Sequence, residues 1–256
     1  MKGIAGKKSV LAQAARAVGL LPALWVILLP VTAGSSDFRA VGEGVYPFLA
    51  YRLEEKEPAY KGEIQVKRQG QLSIDRHIYR TPDGTTVLEV ESVFDLSVQR
   101  PVSFMSRDYR HGYIVKAGLS EESFDYKVFK GEELLDEGQS AFPAATFLWP
   151  NLMHVIANNW DPLGKGEQML IHLFVFSRKD SFDFELRKIG HEEHQGKPVT
   201  RMELAPSSMI LKLIVDPAQM LFDSTGSFRM LEYVGRGAVY SEEGHAENLR
   251  IVLAGS

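Results

Sequence analysis

The most compact grouping of metal-capable side chains is His191-Glu192-Glu193-His194. Two imidazoles and two carboxylates suit zinc or a similar ion. The helical zinc-protease pattern needs histidines four apart around a glutamate. Here they stand three apart, between Gly190 and Gln195-Gly196-Lys197, so the group reads as a polar hairpin tip and no metal is expected. Nucleophilic catalysis needs a serine with a base, often on a strand–turn–helix elbow. No Gly-x-Ser-x-Gly elbow occurs, and Ser207-Ser208 simply follows Pro206 at a strand entrance. The carboxylate pair of a glycosidase is spatial and need not be close in sequence. Asp161 is the acid to inspect, with Trp149 and Trp160 as sugar platforms. The plainer reading is that the tryptophans anchor a helix in the core and Asp161-Pro162 stops it. Gly235-Arg236-Gly237 is too short for a dinucleotide loop; it reads as a bulge or tight bend, with Arg236 a candidate contact for a polar head group. His172 is a lone polar residue in an apolar run, either a hydrogen-bonded core histidine or a cavity-lining one. No catalytic residue and no cofactor are expected.

The elements that must position these residues are mainly strands. Leu88, Val90 and Phe94 alternate with Glu89 and Glu91, and Phe182, Phe184 and Leu186 alternate with Asp183, Glu185 and Arg187. Leu211, Leu213 and Val215 alternate with Lys212 in 209–215. Such alternation belongs to a sheet with one buried and one wet face. Met169–Phe176 is apolar on both faces apart from His172, as in a central strand covered on both sides. Pro82-Asp83-Gly84 is a strong hairpin turn. The spacing from strand to strand leaves no room for βαβ crossovers and predicts consecutive antiparallel hairpins. One helix is expected over about 148–160, with Pro150 in its first turn and Leu152, Met153, Val155, Ile156 and Trp160 at helical spacing. It should pack on the sheet. The expected fold is mainly β: about ten to twelve strands in a large curved antiparallel sheet or half-open barrel with one packed helix.

The first 33 residues read as a secretory signal peptide. Lys2, Lys7, Lys8 and Arg16 form a positive start, Val18–Val31 is apolar apart from Gly19, Pro22 and Pro30, and Val31-Thr32-Ala33 fits the cleavage rule. That apolar run is shorter than the roughly 20 residues a membrane span needs. Residues 34–256 then form a single β-rich domain, expected in the periplasm. The whole chain of 256 residues has 29 basic and 33 acidic residues; without the first 33 the balance is 25 to 33, about −8. An acidic exported protein is a poor candidate for binding nucleic acid, or for a purely electrostatic grip on anionic lipid. There is no cysteine, which excludes disulfides, thiol catalysis and a lipid-attached N-terminal cysteine.

Phe182–Leu186, Met209–Pro217 and Phe228–Tyr233, within an antiparallel chain carrying one helix, resemble the strand series of exported bacterial families of unknown function. Those families are loosely similar to the lipoprotein-carrier (LolA/LolB-like) shape, a strongly curved antiparallel sheet cupping a helix. The likeness spans about residues 45–253 by pattern, without a catalytic motif. It implies binding of acyl chains or another hydrophobic or glycan ligand. A curved sheet with inward aromatics holds either a ligand cavity or a filled core, and the 14 phenylalanines suit both. The first reading is a non-catalytic protein sheltering a hydrophobic small molecule or lipid between sheet and helix. Its lining residues would be Trp149, Met153, Trp160, Phe174, Phe176, Phe182, Phe184 and Leu213, with His172 and Arg236 for a head group. The rivals are an envelope enzyme on glycans or esters, an outer-membrane barrel, and an interaction module with an envelope protein partner.

Overall fold

Alternation along the chain becomes a single sheet of 15 strands in the computed structural model, which describes residues 41–120, 122–142, 146–176, 178, 180–224 and 229–254. The segment read as a signal peptide lies outside the described residues. The strands are β1 (Gly44–Arg52), β2 (Tyr60–Gln69), β3 (Leu72–Arg80), β4 (Thr86–Asp95), β5 (Arg100–Asp108), β6 (Tyr113–Leu119), β7 (Ser123–Lys130) and β8 (Glu133–Ala141). After these come β9 (Thr146–Phe147), a 3-10 turn (Trp149–Asn151), α1 (Leu152–Asn158) and α2 (Trp160–Gly164). The chain finishes with β10 (Met169–Val175), β11 (Asp180–His194), β12 (Lys197–Pro206), α3 (Met209–Lys212), β13 (Ala218–Asp223), β14 (Met230–Tyr240) and β15 (Ala246–Leu253).

The order across the sheet is β8-β7-β6-β5-β4-β3-β2-β1-β15-β14-β13-β12-β11-β10-β9. The chain therefore starts in the middle, walks to one edge, crosses to the other, and walks back. All pairs are antiparallel except β9–β10. The helical segment lies between β9 and β10, because two neighbouring parallel strands cannot be joined by a hairpin. The expected fold class holds, and the hairpin at Pro82–Gly84 forms with Gly84 at φ +100°, a backbone region that glycine enters without steric cost.

The two edges do not pair with each other. The sheet instead curls until its two ends meet through side chains. Phe176 stacks on Phe104 of β5 with ring centroids 4.2 Å apart, and Phe174 of β10 meets Phe124 of β7 edge-on at 4.4 Å. Inside the curl lies α1, which buries Leu152, His154, Val155, Ile156 and Ala157. A helix apolar on nearly every face belongs inside a core. Its one ionisable residue, His154, is 1% exposed and its Nε2 lies 2.7 Å from Asp75 Oδ2 of β3. Ser73 Oγ donates to the other Asp75 oxygen at 2.8 Å, and Ser92 Oγ donates to Asn151 Oδ1 at 3.0 Å. Buried polar groups need such partners, and these fix how the helical segment seats on β3 and β4.

Several expectations are corrected. The helix is shorter than 148–160: it opens as a 3-10 turn, breaks at Asn159, and resumes with Pro162 inside α2. Met169–Phe176 forms a strand next to the edge, not a central one. It is nonetheless covered on two sides, with Ile171 and Leu173 in the main core and Phe174 in a second cluster with Phe124 and Phe142. The 209–215 segment is no strand: Pro206 ends β12, and α3 forms with Met209, Ile210, Leu213 and Ile214 exposed. The histidines at 191 and 194 lie within the long strand β11, not at the tip, which is Gln195-Gly196.

Close approach of backbones on the concave face is sharpest at Gly62 of β2. A Cβ there would stand 2.1 Å from the Ile78 carbonyl oxygen and 2.4 Å from the Phe48 ring. Gly62→Ala is therefore expected to destabilise the fold by about 1–3 kcal/mol, read as a lower urea midpoint with an unchanged m-value; an unchanged midpoint would refute this packing.

Candidate ligand cavity

Successive strand ends alternate between two rims. The turns β1–β2, β3–β4, β5–β6, β7–β8, β10–β11, β12–β13 and β14–β15 all lie on one of them. Near this rim the concave face does not fill. A cavity of about 610 Å³ remains, walled by β3–β8, the Leu148–Pro150 turn, Phe174–Phe176 and the end of β14, within the size range of small-molecule sites. Its wall is set by strand register. His77, Val90, Ser106, Val115 and Val128 lie in one lateral row across β3, β4, β5, β6 and β7, and all five line the cavity. Phe104, Phe124, Phe174, Phe176 and Trp149 supply most of the aromatic surface.

The polar groups gather toward the β5–β6 turn. Asp108 ends β5. Its Oδ1 accepts from the backbone N–H groups of Arg110 and His111, each at 3.0 Å, and its Oδ2 lies 2.7 Å from His111 Nδ1. The spacing of three residues in a tight turn allows this local capture of backbone donors. Among the described residues no lysine or arginine lines the cavity. His77, enclosed on β3, is pushed down to about 4 by burial, with Asp75 opposing and His154 adding to the shift; it is a neutral imidazole at pH 7.

Arg110 straps the same rim. It reaches from the β5–β6 turn to the Tyr240 carbonyl (2.6 Å), to the Tyr60 hydroxyl (3.1 Å) and toward Glu247 (3.7 Å). The buried Glu247 carboxylate also accepts from Tyr60 at 2.8 Å and from Arg52 at 3.0 Å. Its hydrogen bond raises the Arg52 guanidinium further above its usual range, while burial raises the Tyr60 hydroxyl. This charged knot ties β1, β2, β14 and β15 to the β5–β6 turn. A second depression of about 530 Å³ lies beside it, lined by Arg52, Leu53, Arg110, Glu242, Glu243 and Glu247. Both of its arginines are already engaged in the knot.

The cavity brings together only some of the residues singled out by sequence. Trp149, Phe174 and Phe176 line it. Met153 lies on two narrow clefts deeper in the core. Trp160 and Phe184 pack on the main core, Trp160 against Phe222 at 5.6 Å. Phe182 sits opposite Leu173 in the β10–β11 ladder and is half-buried. His172 is neither isolated nor in the cavity; its Nδ1 lies 2.5 Å from Asp183, one strand over and partly exposed. Leu213 is 85% exposed on the α3 segment. Arg236 is exposed at the β14 bulge, where its carbonyl accepts from Tyr233. The bulge expected at Gly235–Gly237 is present, and a Cβ on Gly237 would press to 2.6 Å from Leu249. His191 contacts Thr200 Oγ1 at 3.1 Å and Glu192 pairs with Arg201 at 2.6 Å, so the histidine–glutamate group does not converge. Among the described residues no three histidine or carboxylate side chains are grouped to hold a metal. No described helix is long and apolar enough to cross a membrane.

Sequence reasoning missed His77, Ser106, Asp108, Arg110 and His111. The alternation in β5 is interrupted by Pro101 and by small polar residues, and only the Asp-x-x-His spacing at 108–111 hinted at a turn with chemistry in it.

No family model and no curated protein matches the chain. Solved structures do. A β-barrel-like protein of a domain of unknown function, DUF1849, from Brucella abortus is 10% identical, over 82% of this chain and 94% of that one, with a TM-score of 0.49. A candidate lipoprotein from Parabacteroides distasonis is 9% identical, covering 84% and 96%, with a TM-score of 0.28. A candidate outer-membrane lipoprotein-sorting domain from Vibrio parahaemolyticus is 8% identical, covering 84% and 86%, with a TM-score of 0.27. Their descriptions, a domain of unknown function and a lipoprotein-sorting domain, are of the kind the strand series resembles.

The depressed His77 value carries a sign. Its pKa is about 6.5 in the unfolded chain and lower in the native state, so native protein resists protonation. The stability this confers is complete above pH 6.5 and lost as pH falls toward 4. The loss is on the order of 3 kcal/mol. Urea midpoints at pH 7 and pH 4.5 should fall more for the parent than for His77→Gln. Equal falls would mean that His77 is protonated at no cost.

Proposed function

We propose that this chain is an exported, periplasmic, non-catalytic protein that binds a hydrophobic or lipid-like ligand on the concave face of its curved sheet. The observation that carries this is the 610 Å³ cavity with a wall of aromatic and aliphatic side chains and few polar groups. Apolar surface transferred from water into such a cavity stabilises a complex by about 25 cal/mol per Å². Among the described residues no serine on the cavity wall is hydrogen-bonded to a base, so binding and release fit it better than turnover. The export-type first 33 residues support the compartment, as do the lipoprotein and lipoprotein-sorting descriptions of two structural neighbours. An interaction with another envelope component is the second reading. The exposed Met209, Ile210, Leu213 and Ile214, all on the rim near which the cavity lies, favour it.

The test is native mass spectrometry of protein released by osmotic shock, with solvent extraction of any bound molecule. A discrete lipid-like adduct is expected, and a clean apo mass would count against the proposal. Val115 is half-buried on the cavity wall, so Val115→Trp should fill the space. We expect uptake of an apolar dye to fall at least tenfold while the urea midpoint moves little. If binding and stability fell together across such variants, the wall would be ordinary core.

A further inference from the structure

We infer that the cavity continues beneath the Trp149–Asn151 turn as a narrow chain-end subsite, in which Met153 and Ile64 set the length of straight alkyl chain the protein accepts. The inference rests on the binding reading above and adds a specificity determinant to it.

Register supplies the first observation. The lateral row of His77, Val90, Ser106, Val115 and Val128 does not stop where the main cavity stops. Ile64 of β2 lies opposite His77, and Tyr46 of β1 lies opposite Ile64. Directly opposed residues share a face of a sheet, so Ile64 and Tyr46 belong to the concave face that walls the cavity. The second observation is that this part of the interior is not filled. A cleft of about 30 Å³ shares His77, Tyr79, Trp149 and Pro150 with the main cavity. A further cleft of about 40 Å³ shares Ile64, His77, Pro150, Met153 and Met230 with the first and reaches Tyr46. Ile64, Trp149 and Met153 accordingly stay half-buried although all three pack on the main core.

The third observation is the type of side chain that narrows the path. Met153 of α1, Met220 of β13 and Met230 of β14 all border the first cleft. Clefts of this size have room for about a water molecule each, so a chain enters only by displacing side chains. Methionine is unbranched and adapts its shape readily, so the path widens without moving a strand. A straight alkyl chain is about as thick as the methionine side chains it displaces, whereas a fused-ring body is not. The paired Asp75 and His154 stand on the wall of the second cleft, and the gain from added carbons ends there. Short chains are held by the main cavity alone, and longer ones extend past Trp149 between Met153 and Ile64.

Displacement of an environment-sensitive dye by 1-octanol, 1-dodecanol and 1-hexadecanol tests this. Each methylene that leaves water raises affinity by about fourfold, and we expect the parent to go on gaining affinity from dodecanol to hexadecanol. Met153→Phe and Ile64→Phe place a rigid ring in the path from opposite walls. Each should leave octanol affinity within about twofold of the parent and weaken hexadecanol about tenfold or more. Met153→Ala, which opens the path, should strengthen hexadecanol relative to octanol and does not depend on either larger side chain being accommodated. A chain-length dependence that is the same in the parent and all three variants would overturn the subsite and leave the apolar cavity standing. Equal losses of octanol and hexadecanol would also overturn it, because a length selector spares the short chain. Failure of every alcohol to displace the dye from the parent would overturn the binding reading itself.

Discussion

A sheet of fifteen strands that never closes must still hide its concave face from water, and everything else in this structure follows from how it does so. Paired strands satisfy their backbones but leave two edges and one broad apolar surface. Here the edges are not bonded to each other. The closure is made by rings: Phe174 and Phe176 from one end of the sheet against Phe104 and Phe124 from the other. Aromatic pairs add specific geometry to plain burial. The helix then occupies one part of the interior, and the part it does not reach is the cavity. Filled core and empty cavity are thus neighbours on one face, separated by the Trp149–Asn151 turn.

That arrangement explains why the fold was legible from sequence and the site only in part. Strands declare themselves through a local signal of period two, and the runs at 85–94 and 182–187 carry it clearly. β8 does not: as an edge strand its residues are mostly exposed, so no buried face imprints an alternation. The 209–215 run shows the opposite failure. It alternates like a strand, yet its apolar residues face water on a short helix, where no packing enforces the pattern. Whether an inward residue lines a void or fills a core depends on the curvature and on where the helix stops. Phe184 and Phe174 look alike in sequence; one is packed on the main core and the other borders the cavity. No local pattern separates them.

The polar groups at the curled end divide their labour by burial and charge. Arg110, Glu247, Tyr60 and Arg52 form a knot that spans strands far apart in sequence, so it acts as a brace. Partly buried ion pairs of this kind add little net stability, while loss of one partner leaves a buried charge uncompensated. Asp108 and His111 flank Tyr109-Arg110 in the turn that this brace anchors. In ligand sites generally, a few rigidly set polar groups against an apolar wall fix orientation and specificity.

The path of the chain has one more consequence. β1 lies beside β15, and the Ala254 N–H donates to the Pro47 carbonyl at 2.7 Å, so the beginning and end of the described chain are neighbours in the middle of the sheet. Joined there and opened instead between β8 and β9, the same strands would run from edge to edge in strict sequence order. Apart from the parallel β9–β10 step, the fold is, in topological language, a circular permutation of an up-and-down meander. Its natural break point turns what would be two loose ends at the edges into one continuous crossover. The helical plug follows one step later, between β9 and β10, where the one parallel pairing needs a connection longer than a hairpin.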